Sequence, residues 1–142
     1  MELSGVIYLA ISLLLIYSCY TDVKNRIISN RVSLSVMALS LALMLIHREW
    51  TVLIIAVIVL VVGFFISIIG IIGAGDVKLA CALLPGLTWS EGVDFLLLTG
   101  FVGIPVSLFT LLYLKFKGGD KKTSVPYGLA IAGGYGLQFL LR

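Results

Sequence analysis

Charge is what this chain has least of. Only ten of its 142 residues are Lys or Arg and seven are Asp or Glu, 12% in all, against about 25% in an average soluble domain. So few charges cannot cover a folded surface in water, which excludes an ordinary soluble domain. Cysteine is scarce too. Cys19 and Cys81 stand far apart and form no CxxC pair, so neither a zinc knuckle nor a disulfide framework can be built, and both read as small buried apolar side chains. No metal or other cofactor is expected. There is one histidine, His47, and no stripe of Lys and Arg interleaved with aromatics, so nucleic acid is not an expected partner. What the chain has instead is apolar sequence: 61% hydrophobic residues and a mean hydropathy of +1.18. That composition excludes disorder and leaves an integral membrane protein with lipid as its solvent and partner.

The apolar runs predict an all-α, polytopic membrane protein of about six transmembrane helices in one domain over residues 1–142, with no internal repeat. Leu3 to Tyr20 is long enough to cross about 30 Å of hydrocarbon. It lacks a basic start and an A-x-A-like cleavage site, so it reads as a retained span rather than a signal peptide. Further runs follow at Val32 to Ile46, Trp50 to Ile72, roughly Val77 to Leu87, Phe95 to Leu114 and about Val125 to Leu141, the second and fourth short. Taken alternately, the connections put Lys24, Arg26, Arg31, Lys78, Lys115, Lys117, Lys121 and Lys122 on one side, against Arg48 and Arg142 on the other. Lys and Arg in short loops stay cytoplasmic, so that split of eight to two predicts both termini outside and the loops beginning at Asp22, Gly73 and Lys115 inside. Trp50 and Trp89 flank the outer connections, where interfacial aromatics belong.

A carboxylate at membrane depth is costly, so each acid must be accounted for. Glu2, Glu49, Glu91, Asp94 and Asp120 fall in expected termini or loops, where water solvates them. Asp22 and Asp76 instead sit at the mouths of spans, on the same side and at similar depth. Either alone reads equally well as a cap, Asp22 paired with Lys24 or Arg26 and Asp76 opening a helix. Together they suggest a pair. Asp76 ends Gly73-Ala74-Gly75-Asp76, and two glycines there remove bulk and free φ, letting backbone approach closely and a carboxylate lie beside another helix. Two carboxylates within hydrogen-bonding distance tend to share one proton. Such a pair does acid and base work at once: one member takes a proton from water attacking a peptide carbonyl, and the other polarises that carbonyl and helps the amine leave. His47 lies in the outer connection, and no Ser, Cys or Lys has a base beside it by sequence.

At these residues the chain resembles the type IV prepilin peptidases, intramembrane aspartyl proteases with a GxGD motif. Asp22-Val23-Lys24-Asn25-Arg26-Ile27-Ile28-Ser29-Asn30 is similar to the family's first-aspartate motif, with Ser29 where the family has proline. Gly73-Ala74-Gly75-Asp76-Val77-Lys78-Leu79 matches the second motif, and Val125-Pro126-Tyr127-Gly128-Leu129-Ala130 resembles the start of the last span. The resemblance implies catalytic Asp22 and Asp76, supported by Gly73, Gly75, Lys78 and Pro126. It also implies a multi-pass protein of the inner, cytoplasmic membrane whose active site faces the cytoplasm. There it would cut the basic leader from pilin-like precursors just before their apolar helix, favouring Gly at the cut. Longer members add paired CxxC zinc ligands and methylate the new N-terminus; nothing equivalent occurs here, so proteolysis without methylation is expected, as in enzymes of tight-adherence pili or archaeal flagellins.

The remaining candidates have plainer readings. Lys24, Arg26 and Arg31 suit anionic headgroups, Lys78 suits snorkelling, and Lys115 to Lys122 suits a solvated loop. Pro126 opens the sixth helix, and Gly133, Gly134 and Gly136 suit close helix packing. A rival function is a small proton-coupled transporter or channel subunit using the two aspartates as proton or cation sites; another is a non-catalytic assembly factor. The precursor and the oligomeric state are not legible.

Overall fold

The computed structural model describes residues 3–25, 28–70, 72–117 and 127–140. Within them the chain is all-α: α1 (Leu3–Asn25), α2 (Asn30–His47), α3 (Val52–Ile69), α4 (Ala74–Leu83), α5 (Trp89–Lys117) and α6 (Tyr127–Leu140), with a 3-10 turn at Leu84–Gly86 and no strand among the described residues. α1, α2, α3 and α5 are long and apolar enough to cross a membrane. Their outward faces are apolar as well: Phe64, Phe65, Ile68 and Ile69 on α3 and Phe101, Ile104 and Phe109 on α5 are all exposed. In water such a surface would aggregate; facing lipid it is ordinary.

Four of the six helices thus have spanning length, and α4, at ten residues or about 15 Å, is too short to cross alone. It has no need to. α4 and the 3-10 turn lie in the middle of the bundle against α2, α3 and α6, while α2, α1, α6, α5 and α3 follow one another around them. Leu79, Leu83, Leu84, Pro85 and Gly86 are buried, and a broken helix at membrane depth is tolerated where protein covers it. Lipid gives no hydrophobic drive between helices, so contact depends on close packing. A Cβ added at Gly63 of α3 would lie 2.5 Å from Val77 Cγ1 of α4, and one at Gly134 of α6 would lie 2.8 Å from the Thr99 backbone nitrogen of α5.

Of the helix ends that depart from expectation, three have a clear local reason. α1 runs past Tyr20 to Asn25, and its buried residues Ile7, Ile11, Leu15, Ser18 and Asp22 recur every three or four positions on one face. Asp22 is therefore a core position of a helix rather than the start of a loop. α3 stops at Gly70, where φ is +82° and the N–H turns back to the Ile66 and Ser67 carbonyls, the left-handed ending that glycine makes cheaply. α5 starts early because Thr88 and Glu91 form a capping box: the Thr88 N–H donates to Glu91 Oε2 at 2.8 Å and the Glu91 N–H to Thr88 Oγ1 at 3.4 Å. Glu91 and Asp94, expected in a connection, accordingly lie on α5.

Candidate active site

Asp22 and Asp76 lie at one end of the bundle, the end that also carries Lys24 and Lys78. Each is more than nine-tenths buried, with relative exposures of 6% and 7%. They are close enough for the Asp22 charge to act on Asp76. The two carboxylates are held differently.

Asp22 is reached from the far end of the chain. Its Oδ2 accepts the Gly128 N–H, 3.0 Å away in the first turn of α6, where a helix offers unpaired N–H groups and the positive end of its dipole. One turn earlier on α1, the Cys19 thiol points to the Gly128 carbonyl with an S···O separation of 3.5 Å. One residue of α6 is thus held by both its backbone N–H and its backbone carbonyl against one face of α1. Only glycine fits there: a Cβ at 128 would sit 2.6 Å from Asp22 Oδ2.

Asp76 is held within its own turn. It is the third residue of α4, and its carboxylate takes a hydrogen bond from the backbone of Gly73, the N-cap, one half of a capping box. A Cβ at Gly73 would lie 2.8 Å from Asp76 Oδ2. Gly73 has φ −67°, so the reason for glycine is room for the carboxylate and not an unusual φ, which corrects that part of the sequence expectation. Gly75 makes room in another direction: its missing Cβ would stand 3.3 Å from Ile28 Cβ, so the segment after Asp22 packs onto the first turn of α4. Asp76 Oδ1 is buried and has no hydrogen-bond partner among the described residues.

Lys78 lies on the exposed side of α4, where its Nζ donates to Asn30 Oδ1 at 3.4 Å; that link joins the second motif to the end of the first, a contact that neither the supporting role implied by the resemblance nor snorkelling to the interface specified. Ser29 N-caps α2 with ψ 131° and φ −65°, the φ a proline ring would impose, so the change from proline leaves the backbone of that residue in a conformation proline also adopts. Arg26, Ile27, Pro126 and residues 118–126 generally lie outside the described residues. His47 is at the opposite end, exposed, within 3.4 Å of the Tyr8 hydroxyl. No cluster of three or more His, Cys, Asp or Glu able to hold a metal occurs among the described residues.

Asp76 also ends a furrow of about 300 Å³ whose walls come from α3, α4, α5 and α6, among them Val62, Ala80, Gly100 and Tyr127. Tyr127, next to Gly128, is tied to α5 by the Ser107 hydroxyl, which donates to Tyr127 Oη at 3.2 Å. Sequence reading did not anticipate which helices wall this furrow, the grip of Cys19 and Asp22 on Gly128, or the tie from Tyr127 to α5. The three-residue spacing from Cys19 to Asp22 was a usable signal that the two share a face; the furrow had none, since its walls are spread over four helices.

A sequence model of the type IV leader peptidase family matches residues 9–108, a stretch that includes both aspartates. No curated protein and no solved structure matches the chain.

Proposed function

The chain belongs to the type IV leader peptidase family, and from that premise we propose that it is an aspartic-type intramembrane endopeptidase that removes the basic leader of pilin-like precursors at the cytoplasmic face, with Asp22 and Asp76 as its catalytic pair. The observation that carries this reading is the burial of two motif aspartates at one end of the bundle, each beside a glycine that leaves room for its carboxylate. Two acids buried within reach of each other's charge are costly in a protein surrounded by lipid, and hydrolysis by a directly activated water, with no covalent nucleophile, uses such a pair.

The chemistry follows from the pair. One carboxylate takes a proton from water as its oxygen bonds to the scissile carbonyl carbon, and the protonated partner donates to the carbonyl oxygen. Collapse of the resulting gem-diol breaks the C–N bond, and a proton from the pair reaches the leaving nitrogen; the products are the leader's new carboxylate and the mature protein's new amino terminus. The Gly128 N–H fixes the position of Asp22, while Asp76 borders the furrow and keeps an oxygen clear of protein partners among the described residues. We therefore assign Asp76 the closer contact with substrate. A cytoplasmic location is supported by the eight-to-two division of Lys and Arg.

The transporter reading gains no specific support: both aspartates lie within a helical turn of a helix end, whereas transporter ionisable sites sit near the bilayer midplane. Coexpression with a panel of pilin-like precursors tests the proposal. Wild type is expected to shorten at least one, and Asp22→Asn and Asp76→Asn, at equal abundance in the membrane, to shorten none. Cleavage by either variant at the wild-type rate overturns the assignment.

A further inference from the structure

Two furrows run along the membrane-spanning part of α5, and of this pair one reaches a buried aspartate. The larger, about 590 Å³, lies between α1, α5 and α6 and is lined by Val23, Val106, Phe109 and Thr110 among others, with neither aspartate. The smaller, about 300 Å³, runs between α3 and α5 over α4 and has Asp76 in its wall. We propose that this smaller furrow is the docking site for the precursor's apolar helix, seating one face of its first two turns beyond the scissile bond. The inference rests on the leader-peptidase reading above.

Three features argue for this occupant. The furrow carries an acid more than nine-tenths buried, with Oδ1 lacking a hydrogen-bond partner among the described residues, in a wall otherwise made almost entirely of apolar side chains and glycine. An acyl chain needs no such group, whereas a peptide bond presented for hydrolysis does. Its length also suits a helix. Along α3 the lining runs from Ile66 to Ile58, eight helical steps or about 12 Å, which is about two turns of a partner helix. Beyond that, α3 and α5 close on each other: a Cβ at Gly92 would lie 3.3 Å from Ile55 Cδ1 and from Val52 Cγ2. Finally, at about 300 Å³ the furrow is too small to enclose two whole turns of helix, and small residues are among those that line it. Gly63, Ala80 and Gly100 line it, and a Cβ at Gly100 meets nothing within 4 Å. It thus receives a ridge of side chains at positions i, i+3 or i+4, and i+7 rather than a whole helix, the groove mode of helix recognition.

Gly100 provides the test because it borders the furrow, is exposed, and has open space where its Cβ would be. Enzyme and a cleavable precursor from the coexpression panel are reconstituted in phosphatidylethanolamine–phosphatidylglycerol vesicles, and KM and kcat are measured separately. Gly100→Leu is expected to raise KM about tenfold with kcat little changed, the signature of lost substrate binding without lost chemistry. It should equally weaken inhibition by a leaderless peptide carrying the same apolar helix. Gly100→Ala should do the same to a smaller degree, and Thr110→Leu, which fills the larger furrow, should do neither. An unchanged KM for Gly100→Leu would assign the furrow to lipid, and an effect of Thr110→Leu alone would move docking to the other side of α5; either overturns the inference. Cleavage that survives Asp76→Asn, or a panel with no precursor cut by wild type, instead overturns the functional reading beneath it.

Discussion

The two ends of the bundle use their acids in opposite ways. At the end bearing Trp50, Glu91 accepts the N–H of Thr88, three residues before it, and the interaction is complete within one turn of helix. At the other end Asp22 accepts the N–H of Gly128, 106 positions away, and shares its surroundings with Asp76, brought there by a third helix. Glu91 starts its own helix, and its turn explains it. Asp22 lies three residues from the end of its helix and reaches a distant one instead. Asp76 also takes a hydrogen bond within its own turn, but it keeps Oδ1 buried with no partner among the described residues, and two buried acids beside each other need a chemical reason.

Exchanging charge for amide at both ends should separate them most widely. Asp22→Asn and Asp76→Asn are expected to lower precursor cleavage by about 10²–10⁴-fold, the range associated with losing a general acid or base, while Glu91→Gln and Asp94→Asn leave the cleavage rate within about twofold of wild type, as for changes away from the reacting groups. Equal losses at both ends, read by gel shift at matched membrane abundance, would erase the distinction. The next largest effect concerns the grip on Asp22. Gly128→Ala puts a methyl group where the carboxylate lies and should cost on the order of 100-fold in kcat, as a displacement near 1 Å does. Gly136→Ala, on the same helix but with nothing within 4 Å of the added Cβ, should cost nothing measurable.

Smaller effects should appear in stability alone. Thr88→Ala removes one side of the capping box and is expected to cost about 1 kcal/mol, seen as an earlier unfolding midpoint in detergent with cleavage by the folded fraction unchanged. Ser29→Pro is the mildest. Its φ already suits proline, so the change should stabilise by about 0.4–1 kcal/mol through the unfolded chain and leave activity as it was; a loss of activity would show that the Ser29 side chain or N–H takes part in the site.

Much of the fold was legible because lipid imposes simple rules. Spans of apolar residues have to be helices, and basic loops mark one side. Helix ends were less legible: the extension of α1 through Asn25 followed from a buried face continuing through Ser18 to Asp22, which hydropathy does not register since both are polar. The shortness of α4 was visible as a short apolar run; its central position was not, because a buried and a lipid-facing helix are equally apolar. In the site, the two aspartates stood out by their cost, but Gly128 resembled any packing glycine, and Cys19 any small apolar residue.

The sequence by itself determined that this is a helical membrane protein and which two acids demand explanation, since composition and the cost of charge in lipid act on each segment independently of the others. Which segments meet was decided by the tertiary structure alone. The hold of Cys19 and Asp22 on the Gly128 backbone, the central place of α4 and the furrow ending at Asp76 all depend on where helices distant in sequence approach within contact distance, and that is set by the packing of their surfaces together, which no single stretch of residues encodes.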